Sequence, residues 1–148
     1  MAEGSTMTDK WGRRLFTMGA LLLLLMGVVH SLSLFGKAVP ANDTERQLLE
    51  LMANYKFNLM GSMRSMDKLL RGFSISFMIA IIGLGVLDFS LRRERPELLR
   101  RVVLINTIWL AAMLAISLRY FFVLPTTFLG TSIVIFGLAW LKLKSDHP

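Results

Sequence analysis

Four long apolar stretches constrain the fold of this chain more than any other feature of its sequence. They cover about 15–34, 70–91, 102–122 and 124–143, and each reaches the roughly 20 residues that a helix needs to cross a bilayer. Inside lipid a single segment of this length satisfies its backbone hydrogen bonds only as a helix. The sequence therefore predicts one all-α membrane domain over 1–148, a polytopic four-transmembrane-helix bundle.

Composition agrees with a membrane protein and argues against several other classes. Hydrophobic residues make up 54% of the 148 positions, charged residues only 18%, and the mean hydropathy is +0.56. The net charge of +7 does not indicate nucleic-acid binding, because the cations lie at the ends of apolar stretches and form no continuous stripe. The chain has no cysteine, which excludes disulfides, thiolate metal sites and covalently attached c-type haem.

The basic residues predict the orientation in the membrane. Five arginines lie between the second and third stretches: Arg92, Arg93, Arg95, Arg100 and Arg101. Short basic loops stay in the cytoplasm, and the cations that precede the first stretch and follow the fourth fall on the same side after four crossings. We therefore expect a multi-pass protein of the cytoplasmic (inner) membrane of a bacterium, with both termini in the cytoplasm.

The N-terminus admits two interpretations. Arg13 and Arg14 before an apolar core are also typical of a signal peptide, but this core is longer than usual and no small-residue cleavage site follows it. We therefore predict a first membrane span, preceded by a cytoplasmic leader over 1–12. The first six residues look like a small, polar leader, and the predicted fold does not include them.

Small residues predict where the helices touch, because close backbone approach holds helices together in lipid. Each span carries such positions at helical spacing. In chain order they are Gly19, Gly27 and Ser31; Gly72, Ser76, Ala80 and Gly83; Ala111, Ala112 and Ala115; Gly130 and Gly137.

The outer segment over 42–60 predicts an amphipathic helix that lies on the outer membrane surface or caps the bundle. Asn42 followed by Glu45 has the pattern of a capping box, and Leu48, Met52 and Tyr55 begin a single apolar stripe. Gly61 and Ser62 break this helix. The next helix is expected to begin near Ser62 or Ser65 and to continue into the second span.

A candidate ligand-binding site is expected on the outer side. Arg64, Asp67 and Arg71 follow at i, i+3 and i+7, which would place them on one face of that helix. Two interpretations stay open: a pair of intrahelical ion pairs, or a site for an anion or lipid headgroup at an outward-facing helix N-terminus. The topology brings further polar residues to the same membrane level, namely His30, Arg119 and Tyr120.

His30 is the single histidine within a span, and intramembrane histidines are functional candidates. It favours either an interhelical hydrogen bond, for example with Ser31, or a cofactor. The possible cofactors are a haem shared with a partner, a haem with His/Met ligation, or a quinone whose carbonyls accept hydrogen bonds from His30 or Arg71.

Two further groups of residues have competing interpretations. Met60, Met63 and Met66 have a spacing at which thioethers can bind Cu(I), although methionine is also an ordinary gap-filler of apolar helices. No other metal site is indicated.

Asp88 lies at the opposite side of the second span, and we expect it to pair with Arg92 or with an adjacent helix.

Several short patterns resemble a group of small four-span bacterial integral membrane proteins of uncharacterised function. They are Gly27 to His30 at the end of the first span, Arg64-Ser65, and the run from Arg71 to Ser74. The chain is also similar to DoxX-type proteins, in architecture only. The resemblance implies a four-helix bundle in the cytoplasmic membrane and supplies no reaction.

Together these features favour a protein without a catalytic site, since the sequence shows no triad, HExxH or phosphate-binding loop. It is expected to bind a lipid or to serve as a subunit or assembly partner of a larger membrane complex. The alternative is a redox, quinone-handling or haem-handling protein that uses His30 and the outer arginines. Expected partners are membrane lipids and a second copy or other membrane proteins, not nucleic acid.

Overall fold

The computed structural model describes residues 7–36 and 38–143, which form five helices and one short hairpin. In chain order the elements are α1 Met7–Ser33, α2 Asp43–Asn54, β1 Lys56–Leu59, β2 Ser62–Ser65, α3 Met66–Leu91, α4 Pro96–Tyr120 and α5 Val123–Lys142. Helices α1, α3, α4 and α5 are long and apolar enough to cross a membrane. The predicted all-α fold with four spans is confirmed.

The surface of these four helices is apolar. Only between 17% and 33% of each apolar window is buried within the chain, and large side chains such as Ile105 and Leu118 are exposed on α4. A water-soluble protein does not present apolar surface on this scale, whereas lipid chains cover it at no cost. The protein is a multi-pass membrane protein.

The helices are longer than the apolar stretches that predicted them. Helix α1 begins at Met7, so the second half of the predicted leader is helical, and the first half lies outside the described residues. Helix α4 begins at Pro96 and includes two of the five arginines, Arg100 and Arg101. Hydropathy marks only the segment within lipid, while backbone hydrogen bonding continues into the polar flanks.

Pro125 lies inside helix α5 and does not separate it from α4. Helix α5 begins at Val123, and Pro125 is its third residue. Proline is tolerated in a first helical turn because the amide it lacks would have no partner within the helix. Phe121 and Phe122 therefore form the whole connection.

The chain divides into two compact units, one formed by the residues up to Met26 with those from Ile81 onward, the other by 27–80. We refer to them as the bundle unit and, after the side of the membrane predicted for it, the outer unit. In the bundle unit, four contacts link the helices in a closed ring. They are Leu24 of α1 with Gly85 of α3, Asp88 of α3 with Asn106 of α4, Ser117 of α4 with Thr126 of α5, and Phe136 of α5 with Gly19 of α1.

The closest helix contacts occur at glycines, though not at all the predicted ones. A Cβ atom at Gly19 would lie 2.8 Å from the ring of the fully buried Phe136, so this predicted contact position is confirmed. Gly83 and Gly137 face open space, and the close approach on α3 is at Gly85 instead. The predicted stripe on α4 is also wrong, because Ala111, Ala112 and Ala115 are exposed.

In the outer unit, the capping box predicted for α2 is confirmed. The Asn42 side chain accepts a hydrogen bond from the Glu45 amide at 2.9 Å, and the Glu45 carboxylate accepts one from the Ala41 amide at 2.6 Å. The helix ends at Asn54, however, and does not continue to residue 60. None of its residues is buried, and its apolar side chains Leu48 and Leu51 are exposed.

A β-hairpin replaces the remainder of the predicted amphipathic helix. Strands β1 and β2 pair antiparallel, with Phe57 opposite Arg64, around a two-residue turn at Met60 and Gly61. Both turn residues have positive φ, 50° and 87°, which is the backbone twist that short hairpins require. The Asn58 side chain accepts the Gly61 amide at 2.8 Å and stabilises this turn. As a result, α3 begins at Met66.

Candidate functional site

The six residues predicted to form the outer site are divided between the two units. His30, Arg64, Asp67 and Arg71 belong to the outer unit, on α1, β2 and α3. Arg119 and Tyr120 are exposed at the C-terminal end of α4 in the bundle unit. The convergence of all six residues at one membrane level stays a prediction.

Arg64, Asp67 and Arg71 do not share a helical face. Arg64 lies on strand β2, whereas Asp67 and Arg71 lie in the first turns of α3. The i, i+3, i+7 spacing therefore does not place the three residues on one face of a helix. Neither predicted ion pair forms in the part of the chain that the structure describes, whereas Arg46 on α2 pairs with Asp43 and Glu50. The Arg64 guanidinium instead donates to the Met63 carbonyl at 3.1 Å.

Arg64 comes to lie beside a different cation, Lys68. The two line an open groove of about 370 Å³ along the start of α3, and the other lining residues are Leu69, Gly72, Phe73 and Ser76. Lys68, Gly72 and Ser76 recur every four residues, so they form one edge of the helix, with Leu69 and Phe73 beside them. We call this the Arg64–Lys68 groove.

The chemistry of the groove suits an anionic amphiphile. Its lining holds two cations and no carboxylate, and Gly72 leaves room where any other residue would place a side chain. A guanidinium offers a planar fork of donors to phosphate oxygens, and lysine adds a mobile point charge. Leu69 and the exposed Phe73 supply apolar surface directly beside these cations.

Local backbone structure fixes where Arg64 enters the groove. The pairing of β2 with β1 holds Arg64 opposite Phe57, and α3 begins two residues later. Between them Ser65 is only 2% exposed, and its hydroxyl has no hydrogen-bond partner. No sequence pattern marks Lys68 as a site residue, because its role depends on the hairpin.

His30 lies in the last turn of α1, half-buried, with its ring edge against Phe77 of α3 at 5.1 Å between ring centres. Phe77 is one helical turn from Phe73, which lines the Arg64–Lys68 groove. The Nε2 atom of His30 is buried and has no hydrogen-bond partner. The predicted bond with Ser31 does not form, since that hydroxyl donates to the Val28 carbonyl at 2.6 Å.

The three methionines of the predicted Cu(I) site lie on three different elements. Met60 is fully exposed in the hairpin turn, Met63 lies on β2, and Met66 is the first residue of α3. Their spacing of three residues therefore does not place them on one helical face. The copper site has no geometric support from this arrangement.

Asp88 forms the polar contact between α3 and α4. Its carboxylate accepts a hydrogen bond from the Asn106 amide at 2.7 Å, and both side chains are buried. The expected pairing with an adjacent helix is confirmed and the alternative with Arg92 is wrong, since Arg92 donates to the Phe89 carbonyl and stacks on the Phe89 ring. The second carboxylate oxygen of Asp88 has no partner.

Comparison with known proteins assigns no relative. The chain matches no protein-family model, no curated protein and no solved structure. The resemblance to small four-span bacterial proteins stays a prediction, and the function rests on the geometry of the chain itself.

Proposed function

We propose that this protein is a non-enzymatic integral membrane protein that binds the headgroup of an anionic phospholipid in the Arg64–Lys68 groove. The observation that carries the proposal is that two cations line this groove beside apolar residues along the first turns of a membrane-spanning helix, while Asp67, the acidic residue of those turns, is not part of the lining. The phosphate would accept hydrogen bonds from Arg64 and Lys68. The acyl chains would follow Leu69 and Phe73 toward the bilayer interior.

The proposed location is the cytoplasmic membrane of a bacterium, with both termini in the cytoplasm and the groove on the outer side. Contacts within the bundle unit support this orientation. Gly12 near the start of α1 meets Leu143 after α5, and the Arg100 guanidinium near the start of α4 lies 4.4 Å from the ring centre of Trp140. The basic segments therefore gather at one end of that unit, as the positive-inside bias requires.

Replacing both groove cations tests the proposal. In the Arg64→Gln/Lys68→Gln variant, we expect binding of phosphatidylglycerol to weaken by about 2 kcal/mol, roughly thirtyfold, because each cation near a lipid surface contributes about 1 kcal/mol. Native mass spectrometry of protein released from nanodiscs with equal phosphatidylglycerol and phosphatidylethanolamine measures the bound lipids directly.

The matched control is the Arg46→Gln/Lys56→Gln variant, which removes two exposed cations of the outer unit that do not line the groove. It should retain the wild-type preference for phosphatidylglycerol. Equal loss in both variants would mean that net charge, not the groove, attracts the lipid. A co-purifying protein in place of lipid would instead support the alternative expected from the sequence, a subunit or assembly partner of a larger membrane complex.

A second candidate function is quinone or haem handling at His30, and the orphaned Nε2 atom favours it. A free imidazole nitrogen is the atom that would donate to a quinone carbonyl or bind haem iron. The same native mass spectra separate the two functions. A bound quinone or haem that disappears in the His30→Phe variant, with no headgroup preference, would favour this second function over lipid binding.

A further inference from the structure

A second groove lies in the bundle unit. The groove has a volume of about 320 Å³, and its walls are formed by α1 and α5. Helix α1 contributes Thr8 and, at every fourth residue, Met7, Trp11 and Leu15, and α5 contributes Lys142. Its apolar edge extends for about 12 Å, since eight helical residues rise by that length. We call it the Trp11–Lys142 groove.

Close packing beside the groove holds its two walls in place. A Cβ atom at Gly12 would lie 2.8 Å from the side chain of Leu143, so α1 and the end of α5 approach almost to backbone contact. Lys142, one residue before Leu143, is exposed. The backbone that carries Lys142 is therefore held next to the start of α1.

Among the described residues at the start of α1 and along α5, every charged residue except Asp9 is basic. The first turns of α1 contain Lys10, Arg13 and Arg14, and their one acidic residue, Asp9, is buried. Helix α5 carries no acidic residue, and Lys142 is its cation. An anion that enters the groove meets no exposed carboxylate from either helix that lines it.

Trp11 has the properties of a residue at the membrane–water boundary. Its side chain is 51% exposed, and the Arg14 guanidinium carbon lies 5.4 Å from its ring centre. Tryptophan concentrates at the level of the lipid headgroups because its ring is apolar and its N–H is polar. The groove thus combines an apolar track, an interfacial aromatic ring and a lysine at the rim.

We infer that the Trp11–Lys142 groove binds one anionic phospholipid of the leaflet at this end of the bundle unit. Its acyl chain lies along Met7, Trp11 and Leu15, and its phosphate faces the ammonium group of Lys142. This inference does not depend on the Arg64–Lys68 groove, since the two grooves belong to different units and share no residue.

Fluorescence quenching by brominated lipids tests this inference. In the Trp109→Phe/Trp140→Phe variant, Trp11 is the only fluorophore of its kind, because the chain has three tryptophans. The variant is reconstituted in phosphatidylcholine vesicles with a minor fraction of brominated phosphatidylglycerol or, separately, brominated phosphatidylcholine. From the quenching of Trp11, we expect the groove to bind phosphatidylglycerol about fivefold more tightly than phosphatidylcholine. The Lys142→Gln change should abolish that preference.

Two controls keep the result decisive. A variant that retains only Trp109, which lies within α4 and is not among the lining residues of either groove, should show equal quenching by both lipids. Lys142→Gln in the otherwise native chain, examined by native mass spectrometry, should lose about one bound phosphatidylglycerol even if the tryptophan replacements perturb folding. Equal quenching of Trp11 by both headgroups, or displacement of the lipid by free glycerol phosphate, would overturn the inference.

Discussion

The Gly85→Val variant is expected to lose about 1–3 kcal/mol of unfolding free energy, the usual cost of forcing extra atoms into a packed interior. A Cβ atom at position 85 would lie 2.9 Å from Cγ of Leu24 and 3.1 Å from the Leu24 backbone nitrogen. The side chain of Leu24 can rotate, but its backbone cannot move without shifting α1. Unfolding of the purified protein in mixed detergent micelles with increasing SDS, followed by circular dichroism, measures this loss.

Gly83→Val on the same helix is the matched control. Gly83 is exposed and a Cβ atom there meets nothing within 4 Å. The two variants share the change in backbone entropy and the penalty of a β-branched residue in a helix, so their difference isolates the contact with Leu24. If both variants unfold at the same SDS fraction, the α1–α3 contact described above is incorrect.

The second large effect is expected at Asp88. In Asp88→Leu, the buried Asn106 amide loses its acceptor, and a buried polar group without a partner costs about 1–3 kcal/mol. Asp88→Asn keeps an oxygen at nearly the same place and should remain close to the wild type. The unfolding titration used for Gly85→Val measures both variants.

A double-mutant cycle distinguishes the hydrogen bond from simple packing. Asp88→Leu/Asn106→Leu removes both polar partners, and the double variant should recover much of the stability that Asp88→Leu loses. Interhelical hydrogen bonds in membrane proteins average about 0.6 kcal/mol and reach roughly 1.7 kcal/mol, which bounds the expected coupling. Additive losses from the two single changes would show that the 2.7 Å contact contributes nothing to stability.

The spans and the start of α2 could be predicted because the physics that determines them is local. About 20 consecutive apolar residues suffice to cross a bilayer, and Asn42 with Glu45 caps a helix through neighbouring amides alone. Both features appear in the structure where the sequence placed them, apart from helix ends that extend into the polar flanks.

The hairpin between α2 and α3 could not be predicted in the same way. Its turn places Met60, not the usual asparagine, aspartate or glycine, at a positive φ, and its strands are only four residues long. Because a hairpin stands where the sequence predicts a helix, Arg64 does not share a helical face with Asp67 and Arg71. Lys68 could not be predicted as a site residue for the same reason, since Arg64 on strand β2 lines the same groove as Lys68.

Helix contacts were predictable in kind but not in position. Small residues recur on every span, and composition alone does not separate Gly85, which meets Leu24, from Gly83, which meets nothing. The choice depends on how each helix is rotated about its own axis. That rotation is set by contacts between distant parts of the chain, such as Asp88 with Asn106.

The most direct test of the central claim asks whether the hairpin and the basic loop between α3 and α4 face opposite sides of a membrane. The chain has no cysteine, so single-cysteine variants need no further changes. Ser62→Cys in the hairpin turn region and Arg93→Cys in the basic loop both replace exposed residues, one at each end of α3. Each variant is treated with a membrane-impermeant maleimide in intact bacterial spheroplasts. A four-span protein with cytoplasmic termini predicts labelling of Ser62→Cys at once and of Arg93→Cys only after permeabilisation, whereas labelling of both from the same side would contradict it.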